Sequence, residues 1–270
     1  MTGPSFHDIE TPFGRPGFLV LAGSRLFGMD TPESDYDYVG AIVEPEAYRI
    51  GLKNYRQDGK DYQRGFEQHM FKGDNHEGSV YSVWKLASML AEGNPTCLAL
   101  MFANPIRDDY GICTPEFREM VISRKSGHRF MKYMEAQRKS MIGQRAKHVT
   151  RQELIRDHGF DTKFAAHLIR LGYQGVEFLT TGNITLPMPD ESVVSGSRLN
   201  LLDIRAGEWS MKEVIDEAEA LEARMQRALE RTTLPEDADW ERLSEWVTDT
   251  YFSEWLRMKF EEVRDRLRKS

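Results

Sequence analysis

Asp35 and Asp37 stand two residues apart at the head of a run of aromatic and aliphatic residues, and Gly23-Ser24 precedes them by about ten positions. In an extended chain side chains alternate faces with a period of two, so both carboxylates project to one side. Two such groups at a strand end suit a hard divalent cation. Mg²⁺, with Mn²⁺ as its substitute, takes oxygen ligands in octahedral geometry and completes its shell with water and substrate phosphates. A pair of ions roughly 3.5–4 Å apart can activate an attacking hydroxyl and stabilise a departing pyrophosphate. Gly23, lacking a Cβ, lets backbone N–H groups approach a phosphate, and the Ser24 hydroxyl adds a donor.

The elements that must position these residues are legible in outline. Phe18-Leu19-Val20-Leu21-Ala22 is a continuous apolar run after Pro16-Gly17, the pattern of a buried strand, and it stops at Gly23-Ser24. A short helix or turn follows. A turn-rich segment with Asp30, Thr31, Pro32 and Ser34 leads to a second run, Tyr36 to Val43, and the two runs read as adjacent strands of one sheet. Tyr62 to Phe71 reads as another strand. His76, Glu77, Gly78 and Ser79 then lead into a helix from Val80 to Glu92 with Val80, Val83, Trp84, Ala87 and Leu90 on one face.

Beyond residue 110 helical spacing dominates. Phe164, Leu168, Leu171 and Val176 mark a helix over Ala165 to Thr180. Ser210 with Glu213 is a capping box ahead of Val214, Ala218, Leu221, Met225 and Leu229. Trp240, Leu243, Trp246, Val247 and Phe252 predict a last helix packed on this module. The expected class is α+β, a small mixed-sheet domain over residues 1–110 followed by an all-helical domain over 111–270 that closes a substrate cleft.

With 270 residues and 40% apolar content, the chain can bury a sizeable core. It has no apolar run of membrane-spanning length, and Met1 to Glu10 has neither a basic start nor a hydrophobic stretch, so a cytoplasmic protein without membrane span or signal peptide is expected. Cys97 and Cys113 lack metal-ligand spacing and read as reduced thiols. A net charge of −7 argues against coating nucleic acid. The charge is uneven, however: Arg124 to Arg156 holds ten Lys/Arg against Glu135 and Glu153, whereas 213–254 holds thirteen acids against four Arg. The basic stretch is either a face for polyphosphate or RNA or a solvated helix surface.

Ala22-Gly23-Ser24 followed by Asp35-Tyr36-Asp37-Tyr38 resembles the signature of the DNA polymerase beta nucleotidyltransferase superfamily, with Phe27-Gly28 and Ser34 also in place. Tyr81-Ser82-Val83-Trp84-Lys85, Glu92-Gly93-Asn94-Pro95-Thr96 and Lys163, His167, Leu168, Ile169, Arg170 and Leu171 resemble the branch of RNA-repair-pathway polymerase-beta-like proteins, over roughly residues 17 to 250. The resemblance implies transfer of a nucleoside monophosphate from an NTP to an acceptor hydroxyl. The acceptor is an RNA 3′ end, a protein hydroxyl or a small alcohol. Asp35 and Asp37 would hold the metal, with a third carboxylate at Glu77, where the branch usually has Asp, or at Asp74. Leu98-Ala99-Leu100 stands where the family often has a Glu. Gly23, Ser24, Arg25 and Ser34 would meet the nucleotide, together with Lys85 and the stripe Lys163, His167 and Arg170, spaced i, i+4, i+7. The competing expectation is a regulatory module that binds nucleotide or RNA without chemistry; the presence of both acids of the pair favours an enzyme.

Overall fold

The structure is a computed structural model that describes residues 9–55, 63–143 and 151–269. It opens with β1 (Phe18–Leu21), the single helical turn α1 (Gly23–Leu26) and β2 (Tyr36–Ile42). A short helix α2 (Glu46–Arg49) and a two-stranded ribbon of β3 (Asn54–Tyr55) and β4 (Gln63–Arg64) precede the hairpin of β5 (Gln68–Lys72) and β6 (His76–Ser82). Next come α3 (Val83–Ala91), α4 (Pro95–Leu100) and β7 (Arg107–Asp108). The remainder is helical: α5 (Pro115–Val121), α6 (Arg124–Met141), α7 (Gln152–His158), α8 (Thr162–Thr181), α9 (Arg198–Ala206), α10 (Met211–Arg231) and α11 (Trp240–Lys269). The class is α+β, as expected.

One mixed sheet has the order β5-β6-β2-β1-β7. β1 and β2 are antiparallel neighbours, whereas β2 and β6 run parallel, with Tyr36 beside His76 and Ile42 beside Ser82. The segment from His76 is therefore a strand, and the helix expected from Val80 begins at Val83. The cause is that β6 lies between β5 and β2, so its backbone groups on both edges are taken by the ladder. The Ser82 hydroxyl then accepts from the Lys85 N–H at 3.1 Å and caps α3. The strand expected over Tyr62 to Phe71 divides into β4 and β5, and Tyr62 lies outside the described residues.

The two faces of the sheet differ. Val20, Val39 and Ala41 turn toward the helices and join the main core with Leu86, Leu90, Ile169 and Leu171, whereas Leu19, Tyr36 and Tyr38 pack with Ile9 on the other side. Asp37 has the parity of Val39 and Ala41, so it continues the helix-facing row beyond the end of the covered core.

The apolar core crosses residue 110 without a break, from Phe18 to Trp255. Gly172 and Gly175 let α8 approach α10 closely, since a Cβ at either would meet Leu221 or Met225. The capping box of Ser210 and Glu213 starts α10 as the sequence predicts. α11 packs along α5 and α3, and its Leu243, Tyr251 and Trp255 are buried. Three expected core aromatics are exposed instead: Trp84 lies under the Arg49 guanidinium at 4.4 Å, Trp240 opens α11 at the surface, and Phe252 is 64% exposed, off the face of α11 that buries Tyr251 and Trp255. Cys97 is buried, Cys113 is half-buried, and both are free thiols. Among the described residues, no helix is long and apolar enough to cross a membrane.

Candidate active site

Parallel pairing of β2 with β6 sets Asp37 directly beside Glu77, and antiparallel pairing of β5 with β6 sets Lys72 on the far flank of Glu77. Residues side by side in a sheet share a face. The three side chains thus form a row across the strand ends, with Lys72 Nζ 3.0 Å from the Glu77 carboxylate. On the other flank the Ala22 N–H donates to the Asp37 carbonyl at 2.7 Å and ties the end of β1 to the head of β2. Asp74 stands in the turn between β5 and β6, outside this register.

Gly23 sits where no other residue fits. Its φ of +60° lies in the left-handed region, and a Cβ there would fall 1.7 Å from Oδ2 of Asp37. The Asp37 carboxylate therefore rests against the backbone at the start of α1. Ala22 gives that turn no side-chain cap, so its first N–H groups are left for another acceptor.

Burial raises the pKa of Asp37 above the usual aspartate value, and the charges of Glu77 and Asp35 raise it further against the opposing pull of Arg25. Lys72 offsets the Glu77 charge and Arg25 part of that at Asp37, and a divalent cation would relieve the repulsion that remains at Asp37. Among the described residues no group of three or more His, Cys, Asp or Glu is placed to hold a metal ion. The donor set still fits Mg²⁺, which needs only one or two carboxylates when phosphates and water fill the remaining positions.

Arg25 is turned to the loop that carries Asp35. Its guanidinium donates to Asp30 Oδ2 at 2.9 Å, to the Ser34 carbonyl at 2.6 Å and to the Asp35 carbonyl at 3.3 Å, and it stacks over Tyr36 at 3.9 Å. The Ser34 hydroxyl accepts from the Thr31 N–H at 2.9 Å and closes the turn before β2. Both residues fix the approach of the chain to Asp35.

The stripe on α8 runs from solvent into the core. Lys163 is exposed, His167 is half-buried, and Arg170 is buried. The Arg170 guanidinium stacks 3.6 Å over Phe27, at the end of α1, and donates to Gln174 Oε1 at 3.0 Å. Its burial lowers its pKa to about 9. Burial first, and the neighbouring Arg170 second, push His167 down to about 3, and its Nε2 has no hydrogen-bond partner among the described residues. Lys85 is placed elsewhere: it is ion-paired with Glu67 at 3.0 Å, past the far end of β6. Five residues of strand, roughly 16 Å at about 3.3 Å each, separate Glu77 from Ser82.

Further anchors hold the same corner. Arg198 and Arg205 of α9 donate to the carbonyls of Gly28 and Met29, and the Met188 N–H donates to that of Phe27 at 3.3 Å. Sequence reading missed these contacts, along with Lys72 and the stacking role of Phe27. Only the i, i+7 spacing of Arg198 and Arg205 hinted that the two share a helix face.

The basic stretch is largely neutralised within the chain. Lys125 and Arg129 bond Glu92, Arg138 bonds Glu222, Lys139 bonds Glu135, and Arg124 donates to the Thr232 and Leu234 carbonyls. Arg145 and Lys147 lie outside the described residues.

A short mixed sheet whose strand ends present a carboxylate pair beside a glycine-serine turn, with helices over one face, defines a polymerase beta-like nucleotidyltransferase. The model of the RNA repair pathway DNA polymerase beta family, RlaP, matches residues 17–249, and the chain belongs to that family. No match was found among curated proteins.

Proposed function

We propose that the chain is a divalent-metal-dependent nucleotidyltransferase that moves a nucleoside monophosphate from a nucleoside triphosphate to an acceptor hydroxyl, an RNA 3′ end in preference to a protein hydroxyl. The observation that carries this reading is the Asp37 carboxylate seated against Gly23 and in register with Glu77. The acceptor oxygen attacks the α-phosphorus in line; the new P–O bond forms as the bond to the bridging oxygen breaks, and pyrophosphate leaves with the electron pair.

Asp35 and Asp37 would hold Mg²⁺ or Mn²⁺, which supplies charge neutralisation and acidifies the attacking hydroxyl. Glu77, within reach of the same charges, assists by taking the acceptor proton. Gly23 and Ser24 offer N–H and hydroxyl donors to the triphosphate. Arg25 and Ser34 position the Asp35 loop, and Arg170 supports the α1 turn through its stack on Phe27. Lys163, exposed at the head of α8, is the cation of that stripe free to reach phosphate. Lys85 stays outside this arrangement. The family's place in an RNA repair pathway is what favours RNA as acceptor.

The test is pyrophosphate release and label transfer from each of four labelled triphosphates, with total RNA and with protein as acceptors. Asp37→Asn should lower metal-dependent transfer by about a hundred- to a thousandfold, and label should migrate with RNA. Unchanged pyrophosphate release in the variant would sink the mechanism. Metal-dependent nucleotide binding without turnover on any acceptor would make the chain a binding module.

A further inference from the structure

Arg224, Arg227 and Arg231 project from α10 at i, i+3 and i+7 into an open groove of about 450 Å³ between α10 and α8, with Thr233 at its end. Elsewhere in this acidic chain the described cations are mostly matched to carboxylates, as Arg138 is to Glu222 and Arg129 to Glu92. These three are not. Arg224 donates to the Val193 carbonyl at 3.1 Å, and none of the three is ion-paired among the described residues. Glu222 of the same helix is turned to Arg138, and Glu230 does not pair with the stripe.

Helix rise separates successive guanidinium-bearing residues by about 4.5 Å and then about 6 Å. A row at that spacing, open at the surface, matches a linear polyanion better than a single compact anion. Guanidinium groups bind phosphate oxygens through paired N–H donors. No aromatic ring lines the groove, so it has no platform on which to stack bases, and its recognition is of the backbone.

We propose that this groove binds the phosphodiester backbone of an RNA strand, holding the acceptor outside the catalytic corner and with little regard to sequence. The inference rests on the transferase reading for the purpose of the RNA, though not for its binding.

The experiment is anisotropy of a labelled single-stranded RNA on the full chain across a salt series, without nucleotide or divalent ion. Compared are the wild type, Arg227→Ala/Arg231→Ala and the charge-keeping Arg227→Lys/Arg231→Lys. Each phosphate contact contributes about 0.7 to the slope of log affinity against log salt for a single strand. The alanine pair should therefore lower the slope by about 1.4 and weaken binding at least about tenfold. The lysine pair should retain most of the slope, which separates loss of charge from loss of fold.

An unchanged slope and affinity in the alanine pair would overturn the proposal. So would inorganic tripolyphosphate displacing the RNA at equal concentration through the same arginines, since the groove would then take a free polyphosphate. The two readings fail separately. Loss of RNA binding in the alanine pair, beside unchanged pyrophosphate release in Asp37→Asn, ends the transferase reading and leaves the groove. The reverse result ends the groove and leaves the transferase.

Discussion

Two acidic residues mark the two ends of β2, and burial raises the pKa of both Asp37 and Glu44. At Glu44 the neighbours are donors: the Tyr251 hydroxyl donates to its Oε2 at 2.8 Å, the Trp255 indole donates to its carbonyl at 2.8 Å, and Arg49 lies 3.9 Å away. At Asp37 the neighbours after burial are two more carboxylates, with Arg25 turned chiefly to the loop. A buried acid surrounded by donors is a strut that pins α11 to the sheet. A half-open acid with acids beside it would be stabilised by a bound cation, which is what the proposed site requires and a strut does not.

The largest effect expected from this contrast is at Asp37. Asp37→Asn should lower nucleotidyl transfer by about a hundred- to a thousandfold, the scale of losing one preorganised electrostatic partner. The same variant should raise the melting temperature of the metal-free protein near neutral pH. The folded pKa of Asp37 lies above its unfolded value, so the stability associated with the protonated form is lost as pH rises through the folded pKa. Asn removes that loss. A calorimetric scan with metal removed checks the second half, and a lower melting temperature would make Asp37 a strut like Glu44.

Smaller and more telling is the pair Glu77→Gln and Tyr251→Phe. Glu77→Gln should cost transfer about tenfold to a hundredfold, within the usual range for a positioned proton acceptor, with denaturation midpoints near those of the wild type. Tyr251→Phe should do the opposite. It leaves Glu44, whose Oε1 already lacks a hydrogen bond, without its hydroxyl donor, at a cost of about 1–3 kcal/mol, with turnover per folded molecule unchanged. Urea unfolding beside single-turnover rates would show whether the two ends of the strand exchange these signatures.

How much of this was legible depended on how local the cause was. The ends of β1 and β2 could be read because Gly23-Ser24 and Asp35/Asp37 carry their own spacing, and the α10 start could be read because Ser210 and Glu213 cap each other. The start of α3 could not. Val80-Tyr81-Ser82-Val83 suits a strand or a helix equally, and what decided it was β6 lying between two other strands. The row Lys72, Glu77, Asp37 depends on register across three strands, and the Arg170–Phe27 stack joins residues far apart in sequence. Neither leaves a mark at fixed spacing. The two readings of the basic stretch could not be separated from its own residues, because Glu92 and Glu222, which pair with it, lie outside it.

The last prediction opposes His167 to Asp37. His167 has a folded pKa of about 3 against an ordinary 6.5, because burial, and then the Arg170 charge, keep the ring neutral. At His167 the folded state thus binds less proton than the unfolded chain below pH 6.5. The stability this gives is fully present above that pH and is lost as pH falls, by at most about 1.4 kcal/mol per pH unit. The Asp37 contribution has the opposite sign, since acid relieves it. His167→Leu should therefore flatten the acid side of the stability profile between about pH 6.5 and pH 4, and Asp37→Asn should steepen it. Thermal unfolding of both variants across that range separates the contributions. Parallel profiles for His167→Leu and the wild type would mean that the buried ring takes up its proton without resistance.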